Sequence, residues 1–253
     1  MGAVAAQAQA RAPEDAQAAR LRRKLDARGL LRPVSSPTAV RTALSRGAWF
    51  ELDEAYLAPD EADRLLATLL EGEPWNQVVC QAWDPTAREL KRVPQPRLSS
   101  HLGDLDYRYS GQTLEARRVD GSPSAIALAA CMADVNERLQ LGEGERFNHC
   151  VLNLYRDGND EIGWHADDEP QLGRQPLVAA LSLGARRDFH IKRRGSRNRR
   201  PSRVVPLRHG SLLVCGGTFQ HTHLHSVPRH LSAVGTRINV TFRRIAAPPC
   251  SPT

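Results

Sequence analysis

The sequence predicts a single α+β domain in which a few helices precede a β-rich half folded as a jelly roll or barrel. Three observations point to this fold class. Apolar residues recur at helical spacing in two segments before residue 147. After Phe147 the chain changes to short apolar runs separated by Gly and Pro, which is typical of strands and turns. A length of 253 residues is enough for one large domain with a buried core.

The first segment, residues 1–48, is rich in Ala, Arg and Gln, a composition typical of a flexible or partly helical tail. It contains nine Arg or Lys against three Asp or Glu, so most of the net charge of +7 lies there. The folded domain is expected over residues 49–245, beginning at Trp49-Phe50. Residues 246–253 are expected to form a C-terminal tail.

Two helices are expected in the N-terminal half of the domain. The first covers Glu61 to Leu70, where the leucines recur at helical spacing. The second covers Ser124 to Gln140, after a start signal at Ser122-Pro123. Its apolar face is formed by Ile126, Ala130, Val135 and Leu139.

Six runs after Phe147 have the character of strands: Cys150 to Tyr155, Leu177 to Leu183, Asp188 to Ile191, Arg203 to Leu207, Ser211 to Val214 and Arg237 to Arg243. The last run alternates strictly between polar and apolar residues. A half-buried strand normally turns its polar face to water. In a barrel covered by helices, the polar face instead lines the interior. Two arginines there would need an anion such as a dicarboxylate, because an unpaired buried charge is destabilising.

Cysteine usage and hydropathy limit the class of protein. The five cysteines are scattered and form no C-x-x-C pair, which argues against a disulfide framework or a zinc finger. No run of eighteen apolar residues occurs, and the early arginines are not followed by the apolar region of a signal peptide. We therefore expect an intracellular protein with no membrane association, cytoplasmic if bacterial and nuclear if eukaryotic.

A basic segment interrupts the β-rich half. Between Arg186 and Arg208 there are ten basic residues and one acid, Asp188. A local patch of this kind indicates a surface that faces phosphates. The alternative is a solvated loop in an arginine-rich protein, and composition alone leaves both open.

Two short motifs together suggest a metal site. In His165-Ala166-Asp167 the imidazole and the carboxylate are two residues apart, so both can face one point from an extended chain. A His-rich strand end, Phe219 to Val227, contains His221, His223 and His225. Two histidines and one carboxylate are the ligand set of non-heme iron(II) oxygenases, because it leaves three coordination positions open. Either motif alone is weak, since H-x-D occurs by chance in many surface loops.

Four motifs in order resemble those of the AlkB-family dioxygenases, closest to the DNA and RNA alkylation-repair branch: Asn153 to Asp160, Trp164 to Pro170, His225 to Pro228 and Arg237 to Arg243. The resemblance covers roughly residues 49–245. It implies a double-stranded β-helix (jelly-roll) core over about 147–245. It also implies flanking N-terminal helices and a nucleotide-recognition lid over about 89–112.

The resemblance also implies roles for individual residues. The iron(II) ligands would be His165, Asp167 and His225. His225 is chosen because the family places its second histidine directly before an x-V-P segment, and His223 is the fallback. The residues that bind or lie beside 2-oxoglutarate would be Asn153, Tyr155, Arg237, Asn239, Thr241 and Arg243. The implied activity is oxidative dealkylation of N-alkylated bases, such as 1-methyladenine and 3-methylcytosine, in DNA, with RNA as a second candidate. Iron(II) would be the cofactor, 2-oxoglutarate and O2 would be consumed as co-substrates, and succinate, CO2 and an aldehyde would be released.

The resemblance implies direct-reversal repair with nucleic acid as the partner, and a monomer is expected. The base would be held by the lid and the metal loop through Arg97, Tyr107, Tyr109, Asp168 and Glu169, with Tyr109 stacking on it opposite His165. The alternative for both tyrosines is ordinary strand packing. The phosphates would be contacted by Lys192, Arg193, Arg194, Arg197, Arg199, Arg200 and Arg203.

Two other functions remain open. One keeps the oxygenase but changes its substrate to a protein side chain or a lipid. The other is a non-catalytic nucleic-acid-binding module.

One departure from the family is His101-Leu102, which stands where lid aromatics are often found.

Overall fold

Two antiparallel sheets form the core of the protein in a computed structural model, which describes residues 39–84, 86–109, 112–198, 200–230, 232 and 235–246, with 82–84, 109 and 112 described in their backbone alone. The larger sheet contains, in spatial order, β1 (Val40–Ala43), β2 (Ala48–Asp53), β13 (Ser211–Gly217), β10 (Val178–Gly184), β15 (Arg237–Arg243), β8 (His149–Tyr155) and β5 (Leu98–Gly103). The smaller sheet contains β12 (Arg203–Leu207), β11 (Arg187–Arg193), β14 (His223–Val227) and β9 (Ile162–His165).

Two hairpins lie outside these sheets: β3 (Val79–Asp84) with β4 (Glu89–Pro94), and β6 (Tyr107–Tyr109) with β7 (Gln112–Leu114). The main sheets pack against each other through apolar side chains, among them Phe50 and Leu213 from the larger sheet and Phe189 and Val205 from the smaller one. The predicted α+β jelly roll is therefore confirmed.

Two helices cover the outer face of the larger sheet. Helix α1 is Pro59–Gly72 and helix α2 is Pro123–Arg138, so both predictions are confirmed to within two residues at each end. Ser122 caps α2 by accepting a hydrogen bond from the Ala125 amide, and Pro123 follows at the first position. The apolar faces of the helices pack against alternate residues of the sheet, among them Leu181 and Val240. No helix in the described part of the chain is long and apolar enough to span a bilayer.

Strand β15 is buried on both faces, which explains its alternating sequence. Ile238, Val240 and Phe242 point to the helices and belong to the outer core. Asn239 and Thr241 therefore point to the smaller sheet, on what we call the inner face. The prediction that the polar side of this strand lines the interior is confirmed.

The ordered sheet begins earlier than predicted. Strand β1 lies inside the segment 1–48 and pairs residue by residue with β2, so the expectation of a tail is wrong for Val40–Ala43. The strand is stabilised by contacts across the pair, because Arg41 bonds to Glu51 at 3.0 Å and stacks over the Trp49 ring. Composition alone does not encode such cross-strand contacts. Residues 1–38 and 247–253 lie outside the described residues.

The region predicted as a lid, about 89–112, is divided among three structures: the β3–β4 hairpin, the larger sheet and the β6–β7 hairpin. Its middle part is β5, which pairs with β8 at the edge of the larger sheet. Leu102 of this strand is buried in the core, and the His101 ring bonds to the Glu115 carbonyl. The larger sheet thus draws β1, β2 and β5 from outside the predicted core range of 147–245. Leu98–Gly103 was missed because its small polar residues conceal the alternation of a strand.

Candidate active site

Strands β9 and β14 bring two histidines together. His165 and His225 are direct cross-strand partners, and their ring centroids are 4.1 Å apart. Asp167 is the second residue after the end of β9, and its Oδ2 lies 3.8 Å from His225 Nε2. One donor atom from each residue lies within 4.8 Å of the others, so the three could hold a single metal ion. We call these three residues the His-Asp-His cluster.

Hydrogen bonds outside the cluster fix its geometry. The His165 Nδ1 donates to the Gly163 carbonyl at 2.9 Å, which leaves Nε2 free to act as a ligand. The Asp167 amide donates to Gln220 Oε1 at 3.0 Å, and Arg243 Nη2 donates to Asp167 Oδ1 at 2.6 Å. The loop that carries the carboxylate is therefore held from two sides.

The protonation states of the cluster match those of metal ligands. Burial lowers the pKa of His225 to about 3, and burial also lowers the pKa of His165. Burial opposes ionisation of Asp167, but Arg243 and the two imidazoles outweigh it and hold the pKa of Asp167 at about 2. At neutral pH the site therefore presents two neutral imidazoles and one carboxylate. This donor set fits a divalent iron ion.

The neighbouring histidines do not belong to the cluster and contact other groups. The segment Phe219 to Val227 was predicted to be extended, but Phe219–Thr222 forms a short helix, α3, in which Thr222 and His221 bond back to the Thr218 carbonyl. His221 lies exposed and contacts the Arg174 carbonyl. The His223 ring stacks on Phe219 and bonds to the Thr222 hydroxyl at 2.8 Å. The idea that all three histidines share a face by alternation is wrong for His221, because the helical turn changes the period, whereas His223 and His225 stand two residues apart on β14.

A cavity extends from the cluster along the inner face. Its polar lining includes Asn153, Tyr155, Asn239, Thr241 and Arg243, and its apolar wall includes Ile162, Val178, Phe189, Leu213 and Val227. The polar residues meet because β8 and β15 are adjacent, with Asn153 opposite Asn239 and Tyr155 opposite Arg237.

Arg237 is a buried cation at the far end of this polar strip, with 1% of its surface exposed. Its Nη2 donates to Ser182 Oγ at 2.9 Å and to Asn239 Oδ1 at 3.0 Å. Its Nε and Nη1 have no hydrogen-bond partner of ordinary geometry in the described part of the chain. Burial lowers the pKa of Arg237 to about 10. A bound carboxylate would compensate this charge and complete its hydrogen bonds.

Comparison with known proteins agrees with this geometry. The model of the 2OG-Fe(II) oxygenase superfamily matches residues 51–243. The rat alpha-ketoglutarate-dependent dioxygenase alkB homolog 3 is 32% identical over 233 residues, which cover 90% of this chain and 72% of the relative. The chain belongs to the AlkB family. Enzymes of the superfamily use iron(II), 2-oxoglutarate and O2.

A second relative and a solved structure extend the AlkB comparison. The bovine DNA oxidative demethylase ALKBH2 is 36% identical over 157 residues, which cover 59% of this chain and 53% of that protein. The structure of OsALKBH1 covers 80% of this chain and all of its own chain with a TM-score of 0.50. At 18% identity, that likeness shows the fold alone.

The residues predicted to hold the base in this AlkB-family chain differ in their burial and in their contacts. Tyr107 is fully buried, edge-on to the His149 ring at 5.0 Å. The side chain of Tyr109 lies outside the described residues. Arg97 is buried and donates from Nε to Asn153 Oδ1 at 2.7 Å, so it contacts the co-substrate side of the cavity. Packing explains the position of Tyr107 in this structure.

The two acidic residues after Asp167 also separate. Asp168 lies at the surface and accepts a bond from Arg194 Nη2 at 2.6 Å. Glu169 is mostly buried beside Tyr107, and burial, with the charge of Asp167, raises the pKa of Glu169. Glu169 is thus the one of the pair directed toward the interior.

The predicted phosphate-contacting residues lie on the hairpin that joins β11 to β12. Its end, residues Lys192–Arg203, is named the basic hairpin. A concave surface there is lined by Lys192, Arg193, Arg194 and Arg200, while Arg197 and Arg203 are exposed. Arg199 lies outside the described residues. Lys192 lies over the Trp164 ring at 4.4 Å.

Several residues of this AlkB-family site were not predicted. Gln220 holds the Asp167 amide, Ser182 holds Arg237, and Arg187 packs over Tyr155. Each contact joins residues that are distant in sequence, so no local motif indicates it. The pairing of β10 with β15, which sets Ser182 opposite Asn239, is the only signal that could have located Ser182.

Proposed function

We propose that this chain is a nucleic-acid dealkylase that removes N-alkyl groups from bases such as 1-methyladenine and 3-methylcytosine by direct reversal. The observation that carries the proposal is the link between the basic hairpin and the loop that contains Asp167 and Asp168. Arg194 donates hydrogen bonds both to Asp168, the residue directly after Asp167, and to the Gln220 carbonyl. A surface suited to phosphates therefore adjoins a site suited to iron(II). The name of the bovine relative, a DNA oxidative demethylase, supports this activity, and the name of the rat relative supports the dioxygenase chemistry.

In this proposal His165, Asp167 and His225 hold the iron(II) ion. Gly163 sets the tautomer of His165, and Gln220 and Arg243 hold the Asp167 loop. When bound, iron(II) with 2-oxoglutarate and O2 supplies the oxidising power that hydroxylates the carbon attached to the base nitrogen.

The co-substrate binds along the polar strip of the inner face. Arg237 pairs with a carboxylate of 2-oxoglutarate, and the remaining contacts come from Asn153, Tyr155, Asn239, Thr241 and Arg243. Arg97 and Ser99 both donate to Asn153 Oδ1, so they orient its amide toward the cavity. Apolar residues on the opposite wall exclude water from the reacting atoms.

The base enters beside the His-Asp-His cluster. Glu169 is placed to bond to its polar edge, and Tyr109, Tyr107 and Asp168 complete the predicted contact set. After hydroxylation the C–N bond breaks: the hydroxyl oxygen forms the aldehyde C=O, its proton leaves, and the electron pair returns to the base nitrogen. The phosphates are held by the basic hairpin through Lys192, Arg193, Arg197, Arg199, Arg200 and Arg203, with Arg194 shared between phosphate and Asp168.

Succinate release tests the proposal. Iron-loaded protein should release succinate with methylated DNA or RNA oligonucleotides well above the level seen with unmethylated ones. The repaired base should appear in equal amount, measured by mass spectrometry. Succinate release that no oligonucleotide stimulates would favour a protein or lipid substrate. Oligonucleotide binding without any succinate release would leave only a binding module.

A further inference from the structure

Arg187 is a second buried arginine close to the co-substrate strip, with 1% of its surface exposed. It stands at the start of β11, and its side chain bonds to three main-chain oxygens. Nη1 donates to the Asp157 carbonyl at 3.1 Å, and Nη2 donates to the carbonyls of Asp160 at 2.7 Å and Pro228 at 2.5 Å. One guanidinium therefore joins the turn between β8 and β9 to the residue that follows β14.

The same side chain lies against the cavity wall. Two guanidinium carbons lie close to the centre of the Tyr155 ring: that of Arg187 at 5.3 Å and that of Arg237 at 5.1 Å. Tyr155 is almost fully buried and lines the cavity. Contact with two guanidinium groups fixes the ring, because each cation is attracted to the π-electrons of its face.

The charge of Arg187 is only partly compensated. Its partners are carbonyl oxygens, which carry partial charges, and its Nε has no hydrogen-bond partner among the described residues. The carboxylate of Asp160, in the same turn, is engaged by Arg156 through two bonds of 2.8 Å. After burial, which is the larger cause, Arg187 further lowers the pKa of Arg237. Two buried cations thus give this end of the cavity a positive potential.

We propose that Arg187 is a positioning residue for 2-oxoglutarate: it fixes Tyr155 and the 157–160 turn, and it adds to the positive potential that attracts the co-substrate carboxylate to Arg237. This inference rests on the proposed co-substrate roles of Tyr155 and Arg237. A lysine cannot replace Arg187, because one ammonium group cannot reach three carbonyls with the forked geometry of a guanidinium.

Four variants separate this role from simple support of the turn. R187K keeps the charge but loses the fork, and R187M loses both at similar length. R156A is the matched control, since Arg156 holds Asp160 in the same turn and its side chain is about half exposed. R237A reports on the co-substrate site itself. Each protein is loaded with Mn²⁺, and 2-oxoglutarate binding is measured by calorimetry, with Mn²⁺ affinity and the thermal midpoint measured in parallel.

We expect R187K and R187M to weaken 2-oxoglutarate binding by about tenfold or more, the range of one or two charge-assisted hydrogen bonds. Mn²⁺ affinity should be unchanged, and R156A should bind 2-oxoglutarate like the parent. With a methylated oligonucleotide, R187K should raise KM for 2-oxoglutarate while kcat at saturation stays near the parent value.

Three results would overturn the inference. Parent affinity in R187K would remove the role of the forked contacts, whether or not R187M folds. Equal weakening in R156A and R187K would assign the effect to the turn alone. Loss of binding in R237A with no change in either Arg187 variant would leave the co-substrate site intact and reject Arg187. Normal binding in R237A would instead reject the proposed site.

Discussion

Arg243 and Asp167 form a buried ion pair in which Nη2 of the arginine lies 2.6 Å from Oδ1 of the aspartate. The strand that carries the co-substrate residues is therefore bonded to the carboxylate of the His-Asp-His cluster. Arg243 is among the groups that hold the pKa of Asp167 at about 2, against the effect of burial. Removing this cation must raise the pKa of Asp167, because burial then acts with less opposition.

The first prediction is that R243Q makes metal binding depend on pH. Protons compete with the metal for Asp167 once its pKa rises, so Mn²⁺ affinity should fall more steeply in R243Q than in the parent between pH 7.5 and 5.5. Calorimetric titrations at several pH values measure this. Parallel curves for the two proteins would show that Arg243 does not control the ionisation of Asp167.

Single substitutions of the cluster should abolish turnover. H165A, D167A and H225A each remove one of three protein ligands, and we expect Mn²⁺ affinity to fall by more than about a hundredfold, beyond the usual cost of losing an outer hydrogen bond. H223A is the matched control, because His223 is buried on the same strand but bonds to Thr222. Retained activity in H225A with loss in H223A would reverse the assignment of the second histidine.

Substitution of Arg237 should act on the co-substrate alone. We expect R237A to raise KM for 2-oxoglutarate by roughly ten- to a hundredfold, the cost of charge-assisted hydrogen bonds. Oligonucleotide affinity should not change. R244A is the control, since Arg244 is exposed just beyond the end of β15. An unchanged KM in R237A would remove Arg237 from the co-substrate site.

The basic hairpin should contribute affinity without sequence preference. Replacing Arg193, Arg197 and Arg200 by Gln should weaken binding about equally for all sequences. It should also reduce the slope of log affinity against log salt by about 0.9 per lost contact on duplex DNA, or about 0.7 on single strands. Turnover of a free methylated nucleoside should barely change.

The control for the hairpin carries three exposed arginines away from its end: R64Q, R186Q and R208Q. Equal charge is removed, so net charge alone cannot distinguish the two proteins. If both triple variants reduce the salt slope equally, the hairpin is a solvated surface without a specific role.

His149 should make the protein less stable in acid. Both ring nitrogens are buried without a hydrogen-bond partner in the described part of the chain, and burial lowers the pKa of His149 from 6.5 to about 3. The unfolded chain takes up a proton below about pH 6.5 that the folded chain does not. Stability is thus lost as pH falls, by at most about 1.4 kcal/mol per pH unit.

The variant H149F removes this titration and keeps an aromatic ring beside Tyr107. Its unfolding free energy, measured by urea titration from pH 7.5 to 5.0, should fall less than that of the parent. Equal pH dependence in the two proteins would mean that His149 is protonated in the folded state.

The sequence predicted those parts of the molecule that local patterns encode. Helical spacing located α1 and α2, and strict alternation assigned the two faces of β15. The family motif selected His225, where alternation left three histidines open. Contacts between distant segments could not be predicted. Arg97 reaches Asn153 across 56 positions, and Gln220 reaches Asp167 across 53, so each depends on strand order and register.

Strand β1 has a consequence for how the protein behaves in solution. It occupies the outer edge of the larger sheet and covers β2 from Trp49 to Leu52, where outward-facing main-chain N–H and C=O groups would otherwise face water. An uncovered edge of that kind is a template on which a second chain can add its own strand. A protein trimmed to the predicted start at Trp49 would lose this cover together with Arg41. Such a protein should self-associate and precipitate more readily than one that retains Val40–Ala43.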